Sequence, residues 1–226
     1  MFKGDRPQYL SVGQSALDCI SVAMQAAKIE TFTNILDMPS GHGRVLRHLQ
    51  AAFPEARLTA CDIEKDAVDF CAQTFGATPV YAAELPRDMA LPGGYDLIYV
   101  GSLLTHLNKE RCIEFLKLFH KALRQGGLLL FTMHGRFVAR RMREGTTYGL
   151  QPDSLPKLVR EYEKKGFGYL NYPKKKSFGV SENYGVSLVS PSWVFAELQK
   201  LEGSRLVNFT EFGWADHQDV VACVRV

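Results

Sequence analysis

Between residues 32 and 134, apolar runs of strand length alternate with runs of helical spacing. This alternation constrains the fold more than any other feature. The runs 32–38, 57–63, 78–84, 95–100 and 128–134 are near-continuously apolar. The stretches 14–29, 44–53, 64–75 and 109–123 carry apolar residues every three or four positions. Strands of that kind, each followed by a helix, predict a parallel sheet covered on both faces. Pro54 stops one helix, Gly76 caps a second, and Asn108 and the pair Gly126–Gly127 bound a third. The last two strand runs, 205–214 and 218–226, are only a few residues apart. A parallel crossover needs about a dozen residues or more, so these two must be antiparallel. The expected fold is α/β: a doubly wound, mainly parallel seven-stranded sheet with a C-terminal antiparallel hairpin.

The alternation breaks after Gly135. Residues 136–189 are more polar and richer in glycine and tyrosine. They read as a cap inserted after strand five, two helices and a hairpin, within a single domain spanning 1–226. The length, 226 residues, suits one such domain. The net charge of +3 is too small to indicate a nucleic-acid partner. No apolar run approaches the roughly 20 residues that a membrane helix needs. The first ten residues are polar and mixed, without a signal-peptide core, so a cytoplasmic location is expected. The five cysteines include no CxxC and no Cys/His cluster. Buried free thiols are expected, and no metal site. Nothing in the chain indicates an oligomeric state.

The loop that leaves the first strand reads Asp37-Met38-Pro39-Ser40-Gly41-His42-Gly43. An acid and two glycines where a buried strand turns into a helix point to a ligand close to the backbone. In an open α/β sheet such ligands bind at the carboxyl edge of the strands. A second acid, Asp62, ends the second strand nineteen residues after Gly43. A carboxylate roughly 20 residues on is where dinucleotide folds hold a ribose. A nucleoside-containing ligand is therefore favoured. NAD-binding loops carry a third glycine and face a pyrophosphate. Here the loop begins with an acid, which repels a pyrophosphate and suits a cationic group. S-adenosylmethionine carries an ammonium, a sulfonium and a ribose.

On these residues the chain resembles the class I S-adenosylmethionine-dependent methyltransferases, over roughly 30–135 and 190–226. The loop from Asp37 to Gly43 is similar to that family's first motif, with Pro39 in place of the usual first glycine. Pro39 fixes φ and removes an N–H there. Asp62 matches the second motif, and the acid-led strand and loop at 95–107 match the fourth. The terminal hairpin is also a mark of the family. The resemblance implies a methyltransferase with S-adenosylmethionine as cofactor, held by Asp37, Pro39, Gly41, Gly43, Asp62 and Ile63. It further implies that Ala83 and Glu84, ending the third strand, adjoin the adenine, and that Gly101 and Ser102 lie under the methionine part. Glu84 reads equally as a solvated strand end.

Methyl transfer to a hydroxyl needs alignment and a base. His106, in the loop after strand four, is the best-placed base, ahead of His134 and His217; each also reads as a structural histidine. His42 could touch the cofactor or face solvent. The Asn-Pro-Pro-Tyr signature for amino targets is absent, which tilts the acceptor toward oxygen: a small molecule or a sugar-like compound. Tyr148, Tyr162, Tyr169, Tyr172 and Tyr184, with Phe167 and Phe178, could line a lid or form a satellite core. The basic runs 140–143 and 174–176 are solvated faces or attract an anionic acceptor. Two rivals stay open. One is a short-chain-type oxidoreductase using Tyr172 and Lys176, against which Pro173 argues. The other is a non-catalytic cofactor-binding member.

Overall fold

The computed structural model describes residues 6–173 and 184–226. Helix α1 (Arg6–Ala27) precedes five strands and the three helices between them. These are β1 (Asn34–Asp37), α2 (Leu46–Ala52), β2 (Arg57–Asp62), α3 (Lys65–Phe75), β3 (Thr78–Tyr81), β4 (Tyr95–Val100), α4 (Lys109–Ala122) and β5 (Leu123–Met133). The cap follows, with α5 (Arg136–Arg143), α6 (Leu155–Lys165), β6 (Phe167–Asn171) and β7 (Gly185–Val189). Helix α7 (Pro191–Leu198) returns the chain to β8 (Ser204–Trp214) and β9 (Gln218–Arg225).

The sheet runs β3-β2-β1-β4-β5-β9-β8. The first five strands are parallel, and β9 pairs antiparallel with both β5 and β8. Chain order reverses between β1 and β4, where such sheets open a ligand crevice. Ile35, Leu97 and Leu130 face Ile20 of α1 and Leu49 of α2. Ile98 and Phe131, on the other side, face Phe115 and Phe119 of α4 and Trp193 of α7. The strands are buried on both faces because helices cover both. That is why their sequences do not alternate. Asp96, which leads β4, lies at the opposite edge from the crevice. It accepts from Thr33 N, Thr33 Oγ1, Asn34 N and the Arg124 guanidinium, tying three strand starts together.

Four expected boundaries are corrected. The pair Gly126–Gly127 does not end α4. Leu123 turns extended (φ −65, ψ 145) because it pairs with Tyr95, and the register then shifts before Leu97 meets Leu128. The glycines lie in that irregular stretch of β5, with Gly126 at φ 77. Strand β3 ends at Tyr81, not 84, so Ala83 and Glu84 are loop residues. Its one partner, β2, ends at Asp62 opposite Tyr81, so the ladder stops there. Helix α2 starts at Leu46, not 44. Helix α1 starts at Arg6, well before 14; the Trp214 indole donates to Val12 O (3.0 Å) and Ala215 N to Ser15 Oγ (2.9 Å), anchoring its first half.

Between 136 and 189 the cap has its own two-stranded antiparallel sheet, β6 with β7, and its own core of Val138, Leu158, Tyr162 and Leu188. The five cysteines are free, and four of them are buried. No helix among the described residues is long and apolar enough to cross a membrane.

Candidate functional site

A cleft of about 750 Å³ opens at the carboxyl edge of the parallel strands. The loops after β1, β2, β3 and β4 form its floor. Tyr9 of α1, Trp214 of the terminal hairpin, and Tyr172 and Tyr184 of the cap wall it.

The glycine loop is held from below. Met38 N donates to Tyr99 O (3.0 Å) and Ser40 N to Cys61 O (3.0 Å). The Met38–Pro39 peptide is cis. Gly41 (φ +46) and Gly43 (φ +76) take left-handed conformations that favour glycine. A Cβ on Gly43 would meet the Phe75 ring at 2.4 Å, whereas the space beside Gly41 is open. Pro39, Ser40 and Gly41 line the cleft. Asp37 and Gly43 are not among its lining residues. Asp37 is buried, with Oδ2 unpartnered among the described residues. Burial, and then the nearby Asp62, push its carboxyl well above the ordinary range. Ser40 Oγ is likewise buried, beside the Cys71 thiol. An acid stranded below a glycine loop would be relieved by a cation bound above it. The donor set therefore fits the ammonium and sulfonium of S-adenosylmethionine.

Asp62 is at the cleft wall, but both of its oxygens are engaged. Oδ2 accepts from Gly41 N (2.7 Å) and Oδ1 from Glu64 N (3.0 Å). The carboxylate thus ties the end of β2 to the glycine loop, and each oxygen keeps a further lone pair for a ribose hydroxyl. Exposed Ile63 adjoins it. Ala83 and Glu84 line the far side, and Glu84 faces Arg111 Nη1 at 3.6 Å.

Gly101 and Ser102 follow β4, where a Cβ on Gly101 would crowd the Tyr99 ring at 2.8 Å. His106 lines the cleft three residues after Leu103. Its Nδ1 lies 2.8 Å from Gly185 O, and Tyr172 Oη lies 3.2 Å from the same nitrogen. A carbonyl can only accept, so Nδ1 carries the proton and Nε2 keeps the lone pair. Burial lowers the His106 pKa, so the ring is neutral near pH 7. Tyr184 stacks on it, with centroids 4.9 Å apart. His134 lies behind it at 6.2 Å and His217 a further 5.8 Å beyond. The Ser187 carbonyl hydrogen-bonds the His134 ring, whose Nδ1 is buried and unpartnered among the described residues. Burial, with His106 and His217 beside it, brings the His134 pKa down to about 3. The three expected histidines therefore form one row, but only His106 reaches the cleft.

The tyrosines of the cap divide. Tyr172 and Tyr184 line the cleft, Tyr148 packs on His134 and His217, and Tyr162 belongs to the cap core. Tyr169 and Phe167 pack against the main core. Phe178, Lys176 and the basic run 174–176 lie outside the described residues. Tyr172, the tyrosine of the oxidoreductase reading, follows a strand and does not lie on a helix. Arg140, Arg141 and Arg143 on α5 pair with Glu144 and Glu163 and do not line the cleft. Among the described residues no group of three His, Cys, Asp or Glu could hold a metal ion.

Sequence reasoning did not single out Tyr9, Arg111, Phe115 and Trp214. Tyr9 lies under the guanidinium groups of Arg44 (5.3 Å) and Arg47 (5.2 Å). Arg111 is buried one turn into α4, where Asn108 Oδ1 caps its N–H at 3.0 Å. The sequence around Arg111 marks only a helix start, and its burial is visible in the fold alone.

Residues 36–129 match the family model described as a methyltransferase domain. No curated protein matches the chain. Solved structures do match, all at low identity. An S-adenosylmethionine-dependent methyltransferase from Clostridium acetobutylicum is 11% identical with a TM-score of 0.62, over 98% of this chain and 92% of that one. Mitomycin 7-O-methyltransferase is 15% identical with a TM-score of 0.56, over 92% of this chain and 54% of that one. Human N-acetylserotonin methyltransferase, solved with S-adenosylmethionine, is 16% identical with a TM-score of 0.56, over 94% and 51%. The chain thus spans about half the length of the last two. These likenesses are likenesses of fold, and they agree with the family match and with the strand order found here. Residues 36–129 are thus similar to a methyltransferase domain, and the chain shares the fold of solved S-adenosylmethionine-dependent methyltransferases.

Proposed function

We propose that this protein transfers the methyl group of S-adenosylmethionine to an oxygen of a small hydroxylated acceptor bound beneath the 136–189 cap, in the cytoplasm. One observation carries the acceptor reading. His106 presents a neutral imidazole at the cleft, its tautomer held by Gly185 O so that Nε2 is free to accept a proton. S-adenosylmethionine supplies an activated methyl group on a good leaving sulfur. The residues of this chain supply the rest. Pro39, Gly41, Asp62, Ile63, Ala83, Glu84, Gly101 and Ser102 hold the cofactor, and Asp37 and Gly43 act from beneath the loop. Tyr172 and Tyr184 present flat faces to the acceptor. His106 takes the hydroxyl proton as the oxygen–methyl bond forms and the carbon–sulfur bond breaks.

A neutral acceptor is favoured over an anionic one. Among the described residues the groups nearest His106 are imidazoles and phenols, and burial holds the imidazoles of His106 and His134 and the phenols of Tyr172 and Tyr184 in their uncharged forms. The α5 arginines are paired with acids away from the cleft.

S-adenosylhomocysteine should raise the melting temperature and NADH should not. His106→Ala should keep S-adenosylhomocysteine affinity and lower methyl transfer to a hydroxylated acceptor by about 10²- to 10⁴-fold. A folded His106→Ala protein with full turnover would remove the residue from the mechanism.

A further inference from the structure

Ser102 stands two residues after β4 at the cleft, and its backbone is left-handed, with φ +60, which is uncommon for a residue other than glycine. Three hydrogen bonds hold it there, and they form a ring. Ser102 N donates to Thr132 Oγ1 (2.9 Å). Thr132 Oγ1 donates to Gln218 Oε1 (2.6 Å). Gln218 Nε2 donates to Ser102 Oγ (2.6 Å). Ser102 lies in the loop after β4, Thr132 in β5 and Gln218 at the start of β9, so the ring joins this loop to two neighbouring strands at the carboxyl edge of β4 and β5.

The ring has a direction. Thr132 is fully buried, and its oxygen already accepts from Ser102 N. Its own proton therefore needs an acceptor, and Gln218 Oε1 is the one at hand. That orients the amide and turns Nε2 toward Ser102. The Ser102 oxygen accepts, so its hydroxyl proton is left to donate elsewhere, and Ser102 lines the cleft.

We propose that Gln218 is a positioning residue: it fixes the Ser102 hydroxyl as a donor into the cleft, where the donor takes a carboxylate oxygen at the amino-acid end of the cofactor. This rests on the cofactor reading above. Gln218 itself does not line the cleft, and its influence passes through Ser102.

Gln218→Glu is nearly isosteric and reverses the ring. A carboxylate cannot donate, so it would accept from both hydroxyls and draw the Ser102 proton away from the ligand. Calorimetric titration with two probes reads this out. S-adenosylhomocysteine carries the carboxylate, and 5′-methylthioadenosine shares the nucleoside and thioether but lacks the amino-acid end. Ser102→Ala and Gln218→Glu should each weaken S-adenosylhomocysteine about tenfold. Methylthioadenosine affinity should not change. The double variant should be no weaker than either single one, because both remove the same bond. Gln218→Met, which carries no charge, should also weaken S-adenosylhomocysteine selectively, and it stands in if Gln218→Glu does not fold.

An unchanged preference for S-adenosylhomocysteine over methylthioadenosine in both Gln218 variants overturns the assignment, as do fully additive losses in the double variant. A wild-type protein that binds neither probe overturns the cofactor reading and this inference with it. One that binds both probes, with unresponsive Gln218 variants, overturns only the role of Gln218.

Discussion

At the glycine-loop end of the cleft, burial strands an acid. Asp37 lies under the loop with one oxygen unpartnered, and its carboxyl is pushed well above the usual range. At the histidine end, burial acts on bases. His106, His134 and His217 all have lowered pKa values, and the carbonyls of Gly185 and Ser187 hold the first two rings. The same physical term, loss of water, thus prepares the two ends differently. The first end is incomplete by itself and is relieved by a cation. The second is uncharged, with the His106 Nε2 lone pair at the cleft. A cleft that pairs these ends suits the movement of a group from a cationic donor to a neutral acceptor.

The sharpest way to break the first end is Gly43→Ala. The new Cβ would meet the Phe75 ring at 2.4 Å with the backbone at φ +76. Left-handed backbone and overpacking together cost about 2–4 kcal/mol. Urea unfolding measures it, and a loss under about 1 kcal/mol would show that α3 yields to the new methyl group.

Next in size is an acid test of the second end. The folded His134 pKa is about 3, below the ordinary 6.5, so the unfolded chain takes up the proton first. The contribution is fully present above 6.5 and is lost as pH falls toward 3. Between pH 7 and pH 5 it amounts to about 2 kcal/mol. Wild type should lose that much more stability than His134→Gln over this range. Parallel pH profiles would mean that the ring is not desolvated.

Asp37→Asn separates the two ends by sign. The folded carboxyl pKa is raised, so its contribution is present below 3.8 and is lost as pH rises through the folded value. At pH 8 the uncharged amide should make the ligand-free protein more stable by about 1 kcal/mol, while S-adenosylhomocysteine binds more weakly. A variant that loses stability without losing affinity would place Asp37 in the scaffold alone.

The smallest effect belongs to Asn108→Ala. Its side chain caps α4 by accepting from Arg111 N at 3.0 Å. Its loss should cost about 1 kcal/mol in urea unfolding. Unchanged stability would show that water replaces the cap.

The fold was legible because its signals are local. Continuous apolar strands, Asn108 before α4 and Gly76 after α3 each act within one turn or one strand, and each is found in place. The glycine loop was legible for the same reason: Asp37, Gly41 and Gly43 are neighbours in sequence. What misled was a local signal overruled from a distance. Gly126–Gly127 reads as a helix stop, yet pairing with Tyr95 ends α4 earlier at Leu123. Ala83 and Glu84 read as strand, yet the partner strand β2 ends at Asp62 opposite Tyr81 and the ladder stops there.

By itself the sequence determined the parallel sheet, its terminal hairpin and the glycine loop that leaves the first strand. Tertiary structure alone decided that Tyr9 and Trp214 wall one cleft, that His106, His134 and His217 stand in a row, and that Gln218 reaches Ser102 across 116 residues. Backbone propensity and hydrophobic period act between near neighbours and leave a mark in the sequence. Charge state and hydrogen-bond direction depend on which distant groups exclude water from a side chain, and only the packed strands bring those groups together.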